Sequence, residues 1–109
     1  MDAGEISRVT STVTLLEVLV QPFRRGAAHL AGQYREVLLN ATHLSCVAVT
    51  GEIAEKAASL RADYNLRTPD AIHLATAIQS GATAFLTNDS FLTSIPKLDI
   101  LILDQLVLR

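Results

Sequence analysis

At 109 residues, half of them hydrophobic and 18% charged, the chain has the size and composition of one folded domain, which excludes a disordered tail. A formal net charge of −2 gives no overall attraction to nucleic acid, so any RNA binding must come from a local patch or a bound cation. No apolar run approaches the roughly 20 residues of a spanning helix, and Met1-Asp2-Ala3-Gly4-Glu5 lacks the basic-then-apolar layout of a secretory signal, so a cytoplasmic protein without membrane contact is expected.

Short β-branched or apolar runs alternate with longer segments of helical period, and that alternation predicts an α/β domain with a parallel sheet covered by helices. Ser7 to Ser11 reads as the first strand. Ser11 is placed to cap a helix carrying Leu15, Leu16 and Leu19 inward and ending before Pro22. From Ala27 to Asn40, Leu30, Tyr34, Val37 and Leu38 fall at i, i+4, i+7 and i+8, the stripe of an amphipathic helix. The second strand runs from Leu44 to Val49 and includes the lone Cys46, which reads as a small buried thiol; disulfides and structural zinc are excluded. Thr50 then caps a helix with Ile53, Ala57, Leu60 and Tyr64 inward.

Thr68-Pro69-Asp70 is a helix start: threonine can cap, proline suits the first turn, and aspartate there meets the positive end of the helix dipole. Gly81 closes that helix. A third strand, Ala84 to Thr87, leads into Asn88-Asp89-Ser90, and a fourth runs from Asp99 to Leu103. There is no repeat, low-complexity tract or linker, so residues 1–109 read as a single domain.

Ligands of open parallel sheets bind beyond the carboxyl ends of the strands, and three acidic residues fall there. Glu17 lies within two turns of the first strand's end, Asp70 starts a helix, where its carboxylate can point outward from the element's end, and Asp89 directly follows the third strand. Brought together, the three would repel one another unless a cation lay among them. Magnesium suits such a group, because it takes oxygen ligands, keeps several waters and is completed by phosphate oxygens. An acid in the first turn of a helix also has a plain structural reading as a partner of the dipole.

The segments Ser11-Thr12-Val13-Thr14-Leu15-Leu16-Glu17, Arg67-Thr68-Pro69-Asp70-Ala71-Ile72-His73-Leu74-Ala75 and Phe85-Leu86-Thr87-Asn88-Asp89 resemble, in order and separation, three motifs of the PIN domain family. Within that family the likeness is to the VapC-type toxin ribonucleases, and it covers nearly the whole chain. It implies a three-layer fold with a parallel sheet flanked by helices, and a magnesium- or manganese-dependent endoribonuclease acting on RNA and held inactive by a cognate antitoxin. By that likeness Glu17, Asp70 and Asp89 are the catalytic and metal-site carboxylates, while Thr87 and Asn88 assist through hydroxyl and amide contacts. Arg67, beside the acidic group, is the candidate RNA contact. His73 reads as structural, its ring hydrogen-bonded at the helix surface, because a metal-activated water needs no imidazole.

One departure from the family pattern stands out. The family opens with a central strand ending in an aspartate, and this chain begins after it, so the first strand and a fourth acidic residue are missing and its two neighbours are expected to lack a ladder partner. Either Met1 is an internal methionine of a longer protein, or the gene has decayed. The competing function is therefore a catalytically inactive PIN-like remnant that binds other proteins. Phe23, Tyr34, Leu38 and Leu39 are candidates for an apolar surface that receives an antitoxin helix or a second copy in a homodimer, with core packing as the equal alternative. A phosphotransfer module of flavodoxin-like type is disfavoured, since no acidic pair with a lysine appears.

Overall fold

Val9 and Thr10 are β-branched and Ser11 prefers a helix cap, so the chain leaves extended backbone at Ser11 without a loop. In the computed structural model, which describes residues 8–82, 84–87 and 99–102, strand β1 is Arg8–Ser11 and helix α1 is Thr12–Arg24. The Ser11 hydroxyl oxygen accepts the Val13 N–H at 3.0 Å, satisfying one of the amides that every helix start leaves without a partner.

Helix α1 does not stop at Pro22. It runs through it to Arg24, so proline's missing N–H leaves the Val18 carbonyl without its usual helix donor, a loss confined to the last turns. Its buried residues are Thr14, Val18 and Pro22, spaced i, i+4 and i+8. That rotation places Leu16 two residues, or about 200°, from Val18. Leu16 was expected inside, and it is 65% exposed; Leu15 and Leu19 flank the buried row and pack against the core.

Helix α2, Ala28–Asn40, lies against α1, and Val18, Tyr34 and Leu38 close over Leu86 with Leu15, Leu19, Leu30, Val37 and Leu44 around them. The candidate apolar surface of the early helices therefore divides: Tyr34 and Leu38 are core, whereas Phe23 and Leu39 are exposed. Strand β2 is Leu44–Val47, and Thr50 Oγ1 accepts the Ile53 N–H at 3.2 Å to open helix α3, Gly51–Tyr64. Cys46 is half-buried on this edge strand rather than enclosed. Tyr64, the last residue of α3, is exposed, so the inward face of that helix ends at Leu60; the chain then turns through Asn65 in left-handed backbone, φ 55°.

Helix α4, Thr68–Ser80, packs on α3 through Ile53, Ala57, Ala71 and Ala75, and Gly81 ends it at φ 63°, a conformation that glycine adopts without a Cβ clash. The expected cap at Thr68 is absent. Arg67 holds the cap position without a side-chain cap bond, and Thr68 Oγ1 instead accepts from Arg61 Nη1 at 3.1 Å while Arg61 Nε donates to the Leu66 carbonyl at 2.7 Å. The α3–α4 connection is thus tied by one arginine.

Strands β3, Ala84–Thr87, and β4, Asp99–Ile102, complete a four-stranded parallel sheet of order β2-β1-β3-β4. Neighbouring residues of β3 face opposite sides, with Phe85 packed with Val9 and Ala77 of α4, and Leu86 packed under α1 and α2. The result is the expected three layers: α1 and α2, the sheet, then α3 and α4. The open ladder expected between β1 and β3 is not found. β1 pairs directly with β3 at Arg8↔Ala84 and Val9↔Phe85, and there the backbone pairing stops. At the next position the Thr10 hydroxyl donates to the Leu86 carbonyl at 2.6 Å. Buried backbone groups without partners are costly, so the two strands close on each other and a side chain completes what the ladder does not.

Candidate functional site

All strands being parallel, β1 and β3 end at the same edge of the sheet, at Ser11 and Thr87. From Ser11, α1 carries Glu17 away from that edge with its side chain 41% exposed. α4 touches α1 and presents Asp70 in its first turn and His73 one turn later, on the same face.

Asp70 is 1% exposed, and its carboxylate is gripped by Arg67. Arg67 Nε donates to Oδ2 at 2.8 Å and Nη2 donates to Oδ1 at 3.1 Å, a two-pronged contact that fixes the carboxylate plane. The arrangement is lopsided, because the Arg67 side chain is 66% exposed while its partner is enclosed. A buried carboxylate needs a cation close by, and the amino end of α4 adds further favourable potential.

His73 is buried, not at the helix surface, and its ring lies 5.0 Å from the Phe85 ring at 48°. Its Nε2 is 3.3 Å from Glu17 Oε1, so a ring carrying its proton on Nε2 donates to the carboxylate. The structure therefore brings Glu17 of α1 against the residue one turn beyond Asp70 of α4. One turn before Glu17, Thr14 Oγ1 is buried and has no hydrogen-bond partner among the described residues. Thr87 is fully buried at the end of β3. Asn88 and Asp89 lie outside the described residues.

The His73 link to Glu17 and the support from Phe85 were not foreseen. The spacing Arg67, Asp70, His73 does put each within a helical turn of the next, a signal legible in the sequence; that His73 would reach a carboxylate 56 residues away was not.

Among the described residues no three His, Cys, Asp or Glu side chains converge tightly enough to hold an ion. The donors that are described nevertheless fit a hydrated divalent cation in kind: the buried carboxylate of Asp70, the carboxylate of Glu17 against His73 one turn further along α4, and the buried Thr14 hydroxyl with bonding capacity to spare. No helix among the described residues is long and apolar enough to cross a membrane.

A parallel sheet layered between helix pairs, with Glu17 of α1 against His73 of α4, defines a three-layer α/β class of domain. The PIN domain family model matches residues 2–98, and the chain belongs to that family. A solved structure described as a toxin-antitoxin complex from Klebsiella pneumoniae is similar to it, with 28% sequence identity over 88% of this chain and 75% of that one and a TM-score of 0.63. No curated protein matches the chain significantly.

Proposed function

We propose that this PIN domain is an endoribonuclease, the VapC-type toxin of a toxin-antitoxin pair, which hydrolyses RNA phosphodiesters in the cytoplasm. The observation that carries the reading is the contact of Glu17 from α1 with His73 of α4, one turn beyond the buried Asp70. The similarity to a toxin-antitoxin complex supports the toxin assignment.

Glu17, Asp70 and Asp89 are the residues that would hold a magnesium or manganese ion. Bound there, the ion supplies a water of lowered pKa and stabilises charge on the phosphodiester. The chain's own part is positioning. Burial and the Arg67 fork hold Asp70 in one orientation; His73, seated on Phe85, holds Glu17; Thr87, buried at the end of β3, and Asn88 precede Asp89 and would assist it through hydroxyl and amide contacts.

The antitoxin is assigned to the exposed row Leu16, Val20 and Phe23 of α1, spaced as one helix face and suited to a partner helix. A second copy of this chain, giving a homodimer, is the other candidate for that surface. The same row favours the competing reading, a PIN-like remnant that only binds proteins.

Cleavage of single-stranded RNA by metal-stripped protein, with and without added magnesium or manganese, decides between them. The nuclease reading expects cleavage only with metal, and a loss of roughly 100-fold or more in Asp70→Asn, the scale seen when one group that stabilises transition-state charge is removed. Absence of cleavage with metal present, or cleavage indifferent to Asp70→Asn, returns the protein to the binding-module reading.

A further inference from the structure

We infer that the corner where α1 turns into α2 is an RNA-contact site, in which Arg24, Arg25 and Arg35 pair with phosphates and Phe23 stacks on a base. The inference rests on the reading of this chain as a protein that acts on RNA and deepens it, by locating a contact that needs no metal ion. Phe23 lies about 9 Å beyond Glu17 along α1, so the corner stands outside the group formed by Glu17, Asp70 and His73.

With a net charge of −2 the chain needs a local surplus of cations to hold RNA, and this corner supplies one. No acid occurs between Glu17 and Glu36, a stretch that contains Arg24, Arg25 and Arg35, all exposed. Glu36 itself accepts a hydrogen bond from the Asn40 side-chain amide at 3.0 Å, and as the next residue of the helix it does not face Arg35. Among the described residues none of the three arginines is ion-paired with a carboxylate. Elsewhere the charges are mixed: Lys56 and Arg61 share α3 with Glu52, Glu55 and Asp63, and Arg67 grips Asp70. Arg24 also suits the negative end of the α1 dipole, whereas Arg35, in the middle of α2, has no such role.

Phe23 gives this basic patch the character of a nucleotide site. Its ring is 60% exposed, and the Arg35 guanidinium carbon stands 6.0 Å from the ring centre. Beside the ring opens a shallow cavity of about 170 Å³ lined by Gly26, Ala27 and Ala28, residues too short to screen it. A base of any identity can lie on an aromatic face, and guanidinium groups next to the ring meet the phosphates that flank the base. A run of carboxylates would satisfy the arginines and leave the ring without a partner; a nucleotide satisfies both. Phe23 also closes the apolar row given to the antitoxin, so a partner covering that row competes with RNA for this ring.

The test measures binding of fluorescein-labelled oligouridylate to the full chain by fluorescence anisotropy, in a chelating buffer where no divalent ion bridges RNA to the carboxylates. The logarithm of affinity is expected to fall with the logarithm of salt at a slope of about −2, roughly 0.7 for each phosphate held by an arginine. Combining Arg24→Gln with Arg25→Gln is expected to bring the slope to about −0.7, while the charge-matched pair Arg8→Gln with Lys56→Gln leaves it at about −2. Phe23→Leu is expected to weaken binding roughly tenfold with the slope unchanged, the scale of one stacked base. Circular dichroism checks that each variant is folded, and either corner variant serves alone should the other fail to fold. A parent that does not bind, a Phe23→Leu variant that binds as the parent does, an equal loss in the charge-matched pair, or displacement by oligoglutamate as effective as by unlabelled RNA each overturns the site. Cleavage on adding magnesium by a parent whose RNA binding ignores the corner variants removes the site alone, whereas corner-dependent binding without cleavage removes the nuclease reading alone.

Discussion

Thr10→Val isolates the seam between β1 and β3. Valine matches threonine in shape, so no cavity opens, and the change reduces to replacing the hydroxyl that donates to the Leu86 carbonyl at 2.6 Å with a methyl. Thr10 is wholly buried and Leu86 nearly so, and the backbone pairing of these strands ends one residue earlier. The Leu86 carbonyl would lose this donor in a place water does not reach. Leaving a buried acceptor unsatisfied costs about 1–3 kcal/mol, with a small return from the added apolar surface of the methyl. For a domain near this size each kilocalorie lowers the melting temperature by roughly 4–8 °C, so a fall of about 5–15 °C is expected. Thermal unfolding followed by circular dichroism reads the shift, and urea unfolding with an unchanged slope would place the loss in the folded state. A variant as stable as the parent would refute the reasoning, for it would mean that Leu86 has another donor and that the β1–β3 seam is not closed by Thr10.

Two further outcomes follow from the same description. Burial pushes the Cys46 thiol above its ordinary pKa, which disfavours the thiolate in the folded chain. Alkylation by iodoacetamide at mildly alkaline pH should be clearly slower than in urea. Because the folded pKa is the raised one, the contribution to stability is complete below the ordinary thiol pKa and is lost as pH climbs through the folded value; equal alkylation rates in native and unfolded protein would contradict this. Leu16→Glu combined with Phe23→Glu, at positions 65% and 60% exposed, should alter stability by no more than about 1 kcal/mol in total while weakening association with the cognate antitoxin. A large drop in melting temperature would reveal the row as packed, and undiminished association would move the partner's site elsewhere.

The parts of the fold that were legible in the sequence are those settled within one turn of helix. Ser11 and Thr50 were recognisable as caps because the bonds they make, to Val13 and Ile53, reach only two or three residues ahead. Gly81 announced a helix end because few other residues accept left-handed backbone. The stripe of α2 was readable from its period alone. Thr68 misled for an instructive reason: the residue type was right for a cap, but Arg61, seven residues earlier, claimed its hydroxyl oxygen. Leu16 misled because three leucines in five residues do not say which of them the helix rotates inward, and the row Thr14, Val18 and Pro22 decided it.

The candidate site divides along the same line. The sequence by itself determined which residues are candidates for the site: Glu17, Asp70 and Arg67 were singled out from type, spacing and family likeness. The tertiary structure decided what each of them touches. Asp70 is enclosed because α4 turns its first-turn face into the domain, and His73 finds Glu17 because α1 and α4, from opposite faces of the sheet, touch each other. Likewise the pairing of β1 with β3 joins residues 76 apart, Thr10 and Leu86, through a bond that only the assembled sheet can form. Local preferences act over three or four residues and are written in the chain, whereas burial and partnership depend on surfaces that exist only after distant segments have met.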